Sequence, residues 1–167
     1  MSKIGIFFGS STGTTEEVAQ QIAKKIGVDN TDIHDVANAS AEDMLNYDLL
    51  LLGSSTWGSG DLQDDWEDFL PKTAELNLSG KKIAFFGCGD SSNNSDTFCN
   101  SLATIKEEIR KTGAQFIGKT SPEGYNYDET RCLEEDKLIG LLLDEVNESD
   151  MTEDRMDKWV AAVKSEM

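Results

Sequence analysis

The chain has 167 residues, of which 38% are hydrophobic, and this size suits a single domain, residues 1–167, with a full core. Asp and Glu total 32 against 15 Lys and Arg, and a surface at −17 would be repelled by the phosphates of a nucleic acid. No apolar run approaches the roughly 18 residues that span a membrane. The N-terminus leads into an apolar strand without a signal peptide, so we expect a cytoplasmic protein.

The first predicted strand, residues 4–8, leads through a loop of small residues into an amphipathic helix. The loop consists of Ser10, Ser11, Thr12, Gly13, Thr14 and Thr15. Free N–H groups at the start of a helix favour an anion, and Gly13 allows the backbone to approach one closely. The loop lacks the Lys of a nucleotide-binding P-loop. It therefore predicts either an uncharged cradle for one terminal phosphate or a simple Ser/Thr cap of the helix.

A weaker strand at residues 32–36 and a short helical turn at 41–45 precede the third strand, an apolar run at 48–53. Continuous apolar strands are typical of parallel sheets that are covered on both faces. The next loop contains Ser55, Thr56, Trp57, Gly58, Ser59 and Gly60. Its Trp is a candidate to cover a flat aromatic ligand, or else it packs beneath its own loop. Its glycines permit positive φ, so one peptide can flip when a ligand changes oxidation state.

A helix that carries Trp66 separates this loop from the fourth strand, residues 81–87. The third loop follows and includes Cys88, Gly89 and Asp90. Its turn-forming residues favour contact between backbone groups and the polar edge of a flat heterocycle. The next helix is predicted from an apolar stripe of Phe98, Leu102, Ile105 and Ile109.

The fifth strand begins at residues 115–118, is interrupted by a polar stretch at 120–136 and resumes at 138–143. A last helix begins near Thr152. Strand and helix patterns therefore alternate about five times, which predicts an α/β fold with a doubly wound parallel sheet and right-handed crossovers. In such sheets ligands bind beyond the carboxyl ends of the strands, and all three loops lie at that end.

Metal chemistry is not expected from the cysteines and the histidine. Cys88, Cys99 and Cys132 lack the spacing of a zinc or iron–sulfur site, and His34 is the single histidine. We predict buried or half-buried thiols and place His34 in the second strand or at its edge.

Taken together, the three loops resemble those of the flavodoxins, and the resemblance covers essentially the whole chain. The matching motifs are residues 10–15, 56–62, 65–66, 87–90, 140–141 and 143–145. The resemblance implies a five-stranded parallel sheet of order 2-1-3-4-5 with helices on both faces. Residues 120–136 correspond to the insertion of the long-chain subgroup. The resemblance also implies noncovalently bound FMN and low-potential one-electron transfer between redox enzymes. The flavin would cycle mainly between semiquinone and hydroquinone, without turnover of a substrate.

The resemblance also assigns roles to individual residues. Residues 10–15 correspond to those that hold the FMN phosphate, and Trp57 to the residue that stacks on one face of the isoalloxazine. The peptide between Gly58 and Ser59 corresponds to the one that turns its carbonyl toward flavin N5. Ser55, Thr56 and Gly60 belong to the same ring-binding loop. Positions that border the pyrimidine edge of the ring or lie near it are Cys88, Gly89, Asp90, Thr97, Phe98 and Cys99.

Two positions depart from the usual flavodoxin pattern. Thr14 stands where the family usually has Asn, and it keeps a hydrogen-bond donor. Asn94, or Asn93 with a different gap, stands where the family usually supplies a Tyr that stacks on the second face of the flavin. No aromatic residue occurs in residues 88–96, and the insertion offers two candidate replacements, Tyr125 and Tyr127.

The acidic surface favours redox proteins as partners, both reductases that donate electrons and low-potential enzymes that accept them, docking near the flavin edge. We expect a monomer that binds neither nucleic acid nor membrane. Two alternatives stay open. One is a flavin-dependent NAD(P)H or quinone oxidoreductase of the same architecture, and the other is a cofactor-free regulatory module. The sequence shows no motif for nicotinamide or quinone, and the first loop has hydroxyls where a receiver module has clustered Asp.

Overall fold

A parallel sheet forms the centre of the computed structural model, which describes residues 3–10, 13–56, 62–92 and 95–167. Its strands, in spatial order, are β2 (Ile33–Asp35), β1 (Ile4–Gly9), β3 (Leu49–Ser55), β4 (Lys82–Cys88) and β5 (Gln115–Phe116). Each neighbouring pair is parallel. The predicted doubly wound sheet and its order 2-1-3-4-5 are confirmed.

The fifth strand position is shared by two short strands. β5 pairs with the start of β4, and β8 (Gly140–Leu143) pairs with its end, from Phe85 opposite Gly140 to Cys88 opposite Leu143. The intervening segment ends in an antiparallel hairpin of β6 (Leu133–Glu134) and β7 (Lys137–Leu138). The hairpin turns at Glu135 and Asp136, which both have positive φ, so the interruption extends to residue 138. We refer to residues 120–138 as the insertion.

Two helices cover each face of the sheet. α1 (Thr14–Ile26) and α4 (Thr152–Glu166) pack on one face, and α2 (Asp64–Ala74) and α3 (Asn100–Ile109) pack on the other. Along β3, Leu49 and Leu51 join the α1/α4 core while Leu50 and Leu52 join the α2/α3 core. All four are at most 1% exposed, and burying such a side chain stabilises the fold by about 1.5–3 kcal/mol. This two-sided burial explains the continuous apolar run.

Helix α3 begins later than its apolar stripe predicts. It starts at Asn100, so Phe98 precedes the helix although its side chain is fully buried. The physical reason is Cys99, whose φ of 54° and ψ of 23° are left-handed and interrupt the helical path. The rest of the predicted stripe, at positions 102, 105 and 109, is buried within the helix.

The side chain of the single histidine is engaged in packing and hydrogen bonding. His34 lies in β2 as predicted, its ring stacks on Phe7 with centroids 4.6 Å apart, and its Nε2 lies 2.7 Å from the hydroxyl of Tyr47. In the described ranges, no group of three or more His, Cys, Asp or Glu side chains is arranged to hold a metal ion. Within those same ranges, no helix combines the length and apolar composition needed to cross a bilayer.

Candidate functional site

The carboxyl ends of β1, β3, β4 and β8 meet at one edge of the sheet, which we call the carboxyl edge. The register aligns Gly9 with Ser54, Ser55 with Cys88, and Cys88 with Leu143. The loops after β1, β3 and β4 therefore emerge side by side, as predicted, with the loop after β8 as a fourth neighbour. Seven of the predicted site residues lie outside the described ranges, namely Ser11, Thr12, Trp57, Gly58, Ser59, Gly60 and Asn94.

Helix α1 starts after the first loop, and its N-cap residue, Gly13, has no side chain that could cap it. Gly13 precedes it with φ of 90°, and a Cβ at this position would touch no described atom, so backbone conformation explains this glycine. The Gly13 N–H donates to Ser10 Oγ at 2.9 Å, which leaves the Ser10 hydroxyl proton available to a ligand. A helix start without a side-chain cap keeps N–H groups that attract an anion.

A buried hydroxyl lies in the first turn of this helix. Thr15 is 1% exposed, and its Oγ1 makes no hydrogen bond of ordinary geometry with any residue that the structure describes. Its neighbour is the thiol of Cys88, a weak hydrogen-bonding group. Leaving a buried hydroxyl without a partner costs about 1–3 kcal/mol, which an oxyanion bound at the helix start would recover. The first loop therefore fits a terminal phosphate.

The second loop leaves β3 from an anchored position. The Thr56 N–H donates to the Cys88 carbonyl at 3.0 Å, and Thr56 Oγ1 lies 2.6 Å from Ser101 Oγ. Ser101 also donates its N–H to Thr56 Oγ1 at 3.1 Å and its hydroxyl to the Ser55 carbonyl at 3.2 Å. The Thr56 side chain is thus directed at α3 and fixes the start of the loop. Sequence analysis missed Ser101, for which the available signal was a hydroxyl in the first turn of α3.

The second loop returns to α2 through Gln63, which is 1% exposed. Its Oε1 accepts the Asp65 N–H at 3.0 Å, and the Trp66 indole donates to the Gly53 carbonyl at 2.8 Å. A Cβ at Gly9, the last residue of β1, would lie 2.2 Å from Gln63 Oε1. The end of β1 therefore has room for Gln63 only because residue 9 is glycine, and the first two loops are held together at this point.

The third loop begins at Gly89, which has little free space on its inner side. Its N–H donates to the Leu143 carbonyl at 2.9 Å. A Cβ at this position would lie 3.0 Å from both Phe98 Cδ1 and Cys99 Sγ. The backbone of Gly89 is therefore packed directly against the two residues that precede α3.

A buried carboxylate joins the third loop to the loop after β8. Asp144 is fully buried, its Oδ2 accepts the N–H of Ser91 at 2.9 Å as well as the Ser91 hydroxyl, and its Oδ1 accepts the Asn147 N–H at 2.9 Å. The Asn147 amide in turn donates to Asp90 Oδ1 at 2.8 Å. Burial alone would raise the pKa of Asp144, but hydrogen bonds from Ser91 and Asn147 outweigh burial and hold this pKa below its usual value.

Sequence analysis did not select Asp144 as a site residue. The signal available was its position directly after the buried strand β8 at the carboxyl edge, which is where polar side chains of a doubly wound sheet serve a site.

Three predicted site residues before α3 differ in their surroundings. Thr97 is half-buried, and its Oγ1 is a second buried hydroxyl without a hydrogen bond of ordinary geometry to the described residues. Phe98 and Cys99 are fully buried in the α2/α3 core. Of these three side chains, Thr97 alone presents an unused polar group, and the other two support the loop from behind.

The two tyrosines of the insertion pack against the interior of the protein. Both rings pack on Phe98, with centroids 6.1 Å away for Tyr125 and 5.5 Å for Tyr127, and both lie against the α2/α3 core. The Tyr125 hydroxyl also donates to the Leu142 carbonyl at 2.6 Å. Their rings are therefore engaged in internal packing.

All three cysteines are free and buried, as predicted, and we expect them to be unreactive in the folded protein. Burial raises the pKa of Cys88 to about 12, with Glu145 adding to the rise, and it raises the pKa of Cys132 to about 11 and that of Cys99 well above its usual value.

With a thiol-reactive disulfide reagent at pH 8, we expect no fast-reacting thiol in the native protein and three in guanidinium. Fast reaction of any thiol in the native protein would contradict this expectation.

Comparison with known proteins agrees with this geometry. A family profile described as Flavodoxin matches residues 6–159. Flavodoxin 1 of Salmonella typhimurium and Flavodoxin 1 of Escherichia coli K12 are each 42% identical to this chain over 168 aligned residues, covering 100% of this chain and 96% of theirs. The crystal structure of Fusobacterium nucleatum flavodoxin bound to flavin mononucleotide is similar, with a TM-score of 0.90 at 30% identity, covering 100% of this chain and 99% of that one.

Proposed function

This chain belongs to the flavodoxin family, and we propose that it binds FMN noncovalently at the carboxyl edge and carries single electrons between redox enzymes. It is an electron-transfer protein rather than an enzyme, as the named flavodoxins are. The oxidoreductase and regulatory alternatives are not favoured. The observation that carries the proposal is the buried hydroxyl of Thr15 at the start of α1, which makes no hydrogen bond of ordinary geometry with the described residues.

Different residues of the carboxyl edge are proposed to bind the phosphate and the ring of FMN. The N–H groups of α1 and the hydroxyls of Ser10 and Thr15 suit the phosphate. Trp57 is proposed to stack on one face of the ring, and the backbone at Gly89 together with Thr97 is proposed to meet its polar edge. When bound, FMN supplies reversible one-electron redox chemistry, and the protein supplies binding, orientation and the local electric field.

The field at the carboxyl edge is negative. After burial, the carboxylates of Glu145 and Asp144 are the groups that raise the pKa of Cys88, which means that they disfavour a further negative charge at the end of β4. Reduction adds negative charge to a flavin, and each nearby carboxylate opposes it by Coulomb repulsion. We therefore propose a low reduction potential.

The decisive experiment is a titration of the apoprotein with FMN and with riboflavin, followed by flavin fluorescence. We expect tight uptake of FMN, a yellow holoprotein and much weaker binding of riboflavin, because riboflavin lacks the phosphate that the first loop fits. The holoprotein should oxidise NADH and NADPH negligibly in the absence of a reductase. A protein that takes up no FMN would overturn the proposal, and rapid NAD(P)H oxidation would favour the oxidoreductase alternative.

Redox partners are proposed to dock on exposed carboxylates beside the carboxyl edge. The first turn of α2 presents Asp64 and Glu67 to solvent near that edge. We expect Asp64→Asn with Glu67→Gln to slow electron transfer to cytochrome c, a basic acceptor, by about tenfold at low ionic strength, because a field of one sign accelerates encounter. The difference should vanish at high salt.

A matched control removes the same number of charges far from the site. Glu75 follows the end of α2 and Glu108 lies near the end of α3, and both are exposed. Glu75→Gln with Glu108→Gln should leave the low-salt rate within about twofold. Equal slowing by the two pairs would indicate a general effect of net charge and would argue against docking at α2.

We further propose that the carrier works as a monomer in the cytoplasm. Three free, buried thiols suit a reducing compartment. In the described part of the chain, the exposed large apolar side chains come from four separate places in the sequence and suggest no extended apolar patch. They are Leu45, Leu133, Val146 and Met167. Sedimentation of the holoprotein as a dimer at micromolar concentration would contradict the monomer.

A further inference from the structure

We propose that Arg155 of α4 is a positioning residue for the flavin site, acting through the insertion and Phe98 on the third loop. The inference rests on the proposed function, since it concerns the shape of the FMN site. Arg155 itself is placed behind the site and contacts the insertion, so its effect on the cofactor would be transmitted through packed side chains and backbone hydrogen bonds.

Arg155 holds the insertion by two direct contacts and by a third that passes through Glu148. It is 7% exposed, and its Nη2 donates to the Gly124 carbonyl at 3.0 Å. Its guanidinium carbon lies 3.8 Å from the ring centroid of Tyr125, and its Nη1 donates to Glu148 Oε1 at 3.2 Å. Glu148 adds a contact with the insertion, because its Oε2 accepts the Asn126 amide at 2.6 Å. One buried ion pair thus holds three consecutive residues of the insertion, 124–126.

The held residues pack on Phe98. The rings of Phe98 and Tyr127 are nearly parallel, 12° apart with centroids at 5.5 Å, and Tyr125 adds a tilted contact at 6.1 Å. Phe98 also lies close to Gly89, since a Cβ at Gly89 would be only 3.0 Å from Phe98 Cδ1. A shift of the two tyrosines would therefore move Phe98 and with it the backbone of Gly89, where the third loop begins.

A ladder of hydrogen bonds runs beside this packing. The Asp128 N–H donates to the Ser95 carbonyl at 2.9 Å, and the Phe98 N–H donates to the Glu129 carbonyl at 3.3 Å. Farther along, the Cys132 thiol donates to the Cys99 carbonyl at 3.1 Å. Residues 128–132 of the insertion thus run alongside residues 95–99, which end the third loop and lead into α3.

The ladder ends on a strained residue. Cys99 adopts a left-handed conformation, φ 54° and ψ 23°, which residues other than glycine rarely adopt. Such a conformation persists only where surrounding contacts hold it in place. Its carbonyl accepts both the Cys132 thiol and the Leu102 N–H, the latter at 3.1 Å, so the insertion and α3 hold it together. The conformation of the loop exit therefore depends on the insertion being held.

The test replaces the ion pair without leaving a buried charge, using Arg155→Met with Glu148→Gln. The matched control is Lys106→Met with Glu134→Gln. Lys106 is 4% exposed and lies 2.7 Å from Glu134 Oε1, so this pair also ties the insertion to a helix. Neither of its members has a described hydrogen bond or ring contact with residues 95–99.

For the Arg155 double variant we expect the dissociation constants of FMN and of riboflavin to rise by the same factor, about tenfold, because the third loop is proposed to contact the ring and not the phosphate. The amide NMR signals of Gly89, Phe98 and Cys99 should shift in the apoprotein. The control pair should change both constants by less than twofold and leave these signals in place, even if it lowers the denaturation midpoint to the same extent.

The inference is overturned if the Arg155 variant loses stability while its affinities stay within twofold of the wild type, or if the control pair weakens binding equally. If the Arg155 variant does not fold, Tyr127→Leu removes the stacked ring from Phe98 and should raise both constants about threefold, and no change would again overturn it. A wild-type protein without FMN affinity would refute the proposed function, and the amide signals of the apoprotein would still decide this inference.

Discussion

Replacing Thr15 with Val raises the FMN dissociation constant by about 10- to 100-fold and does not lower the unfolding free energy of the apoprotein. A hydrogen bond to a charged group contributes about 1.5–3 kcal/mol, and each 1.4 kcal/mol corresponds to a factor of ten. Thr15 Oγ1 has no hydrogen bond of ordinary geometry to a described residue, so its removal costs the empty protein little. Fluorescence titration and urea denaturation measure the two quantities.

Two controls make this expectation specific to the phosphate. Riboflavin affinity should not change in Thr15→Val, because riboflavin has no phosphate for the hydroxyl to bind. Thr112→Val should lower the unfolding free energy by about 1 kcal/mol and leave FMN affinity unchanged. The reason is that the Thr112 hydroxyl donates to the Ile109 carbonyl at 2.6 Å in a buried position. Equal losses of FMN and riboflavin affinity in Thr15→Val would show that the hydroxyl does not contact the phosphate.

Replacing Asp144 with Ala lowers the unfolding free energy of the apoprotein by about 3 kcal/mol at pH 7 and also weakens FMN binding. The substitution leaves three backbone N–H groups, those of Ser91, Val146 and Asn147, without their charged acceptor. Each such loss costs about 1–3 kcal/mol when the group is buried. FMN binding weakens because Ser91 belongs to the loop that begins at Gly89. Urea denaturation and fluorescence titration measure the two effects.

The effect of Asp144 on stability should disappear in acid. Its folded pKa lies below the unfolded value of about 3.9, so the carboxylate stabilises the fold above pH 4. This stabilisation decreases as pH falls through the unfolded and then the folded pKa. The difference between wild type and Asp144→Ala should therefore be constant from pH 6 to 8 and shrink below pH 4. A difference that grows in acid would contradict the ionised, hydrogen-bonded carboxylate.

A matched carboxylate at the other end of the sheet provides the control. Asp48 is exposed, and its described side-chain hydrogen bond is from the Lys3 N–H at 2.9 Å. Asp48→Ala should cost less than about 1 kcal/mol, because an exposed partner is replaced by water. It should not change FMN affinity, since Asp48 precedes β3 at the amino end of the sheet. A loss as large as that of Asp144→Ala would indicate a general effect of removing an Asp.

Local periodicity was sufficient to predict the elements of this fold. The apolar run of β3 and the stripe of α1 are properties of neighbouring residues, because a two-sided sheet and a one-sided helix each demand their own spacing of apolar positions. The hydroxyl loop at residues 10–15 could be read in the same way, since a strand, a glycine and a helix start follow one another directly in the chain. The prediction of a phosphate site there needs no distant residue.

The contacts that hold the third loop could not be read in this way. Phe98 was assigned to the stripe of α3 from its spacing, but the left-handed Cys99 separates it from the helix. The tyrosines of the insertion were candidates to cover a ligand, and the structure shows that they pack on Phe98 from about 30 residues away in sequence. Asp144 was passed over because its donor, Ser91, lies 53 residues earlier in the chain.

The succession of strands and helices along the chain and the uncharged first loop were therefore determined by the sequence itself, since they depend on residues close together in the chain. The tertiary structure alone decided which buried groups meet across the carboxyl edge. Hydrogen bonds and ring packing act over a few ångströms in space, and only the folded sheet brings β4, the insertion and the loop after β8 within that distance.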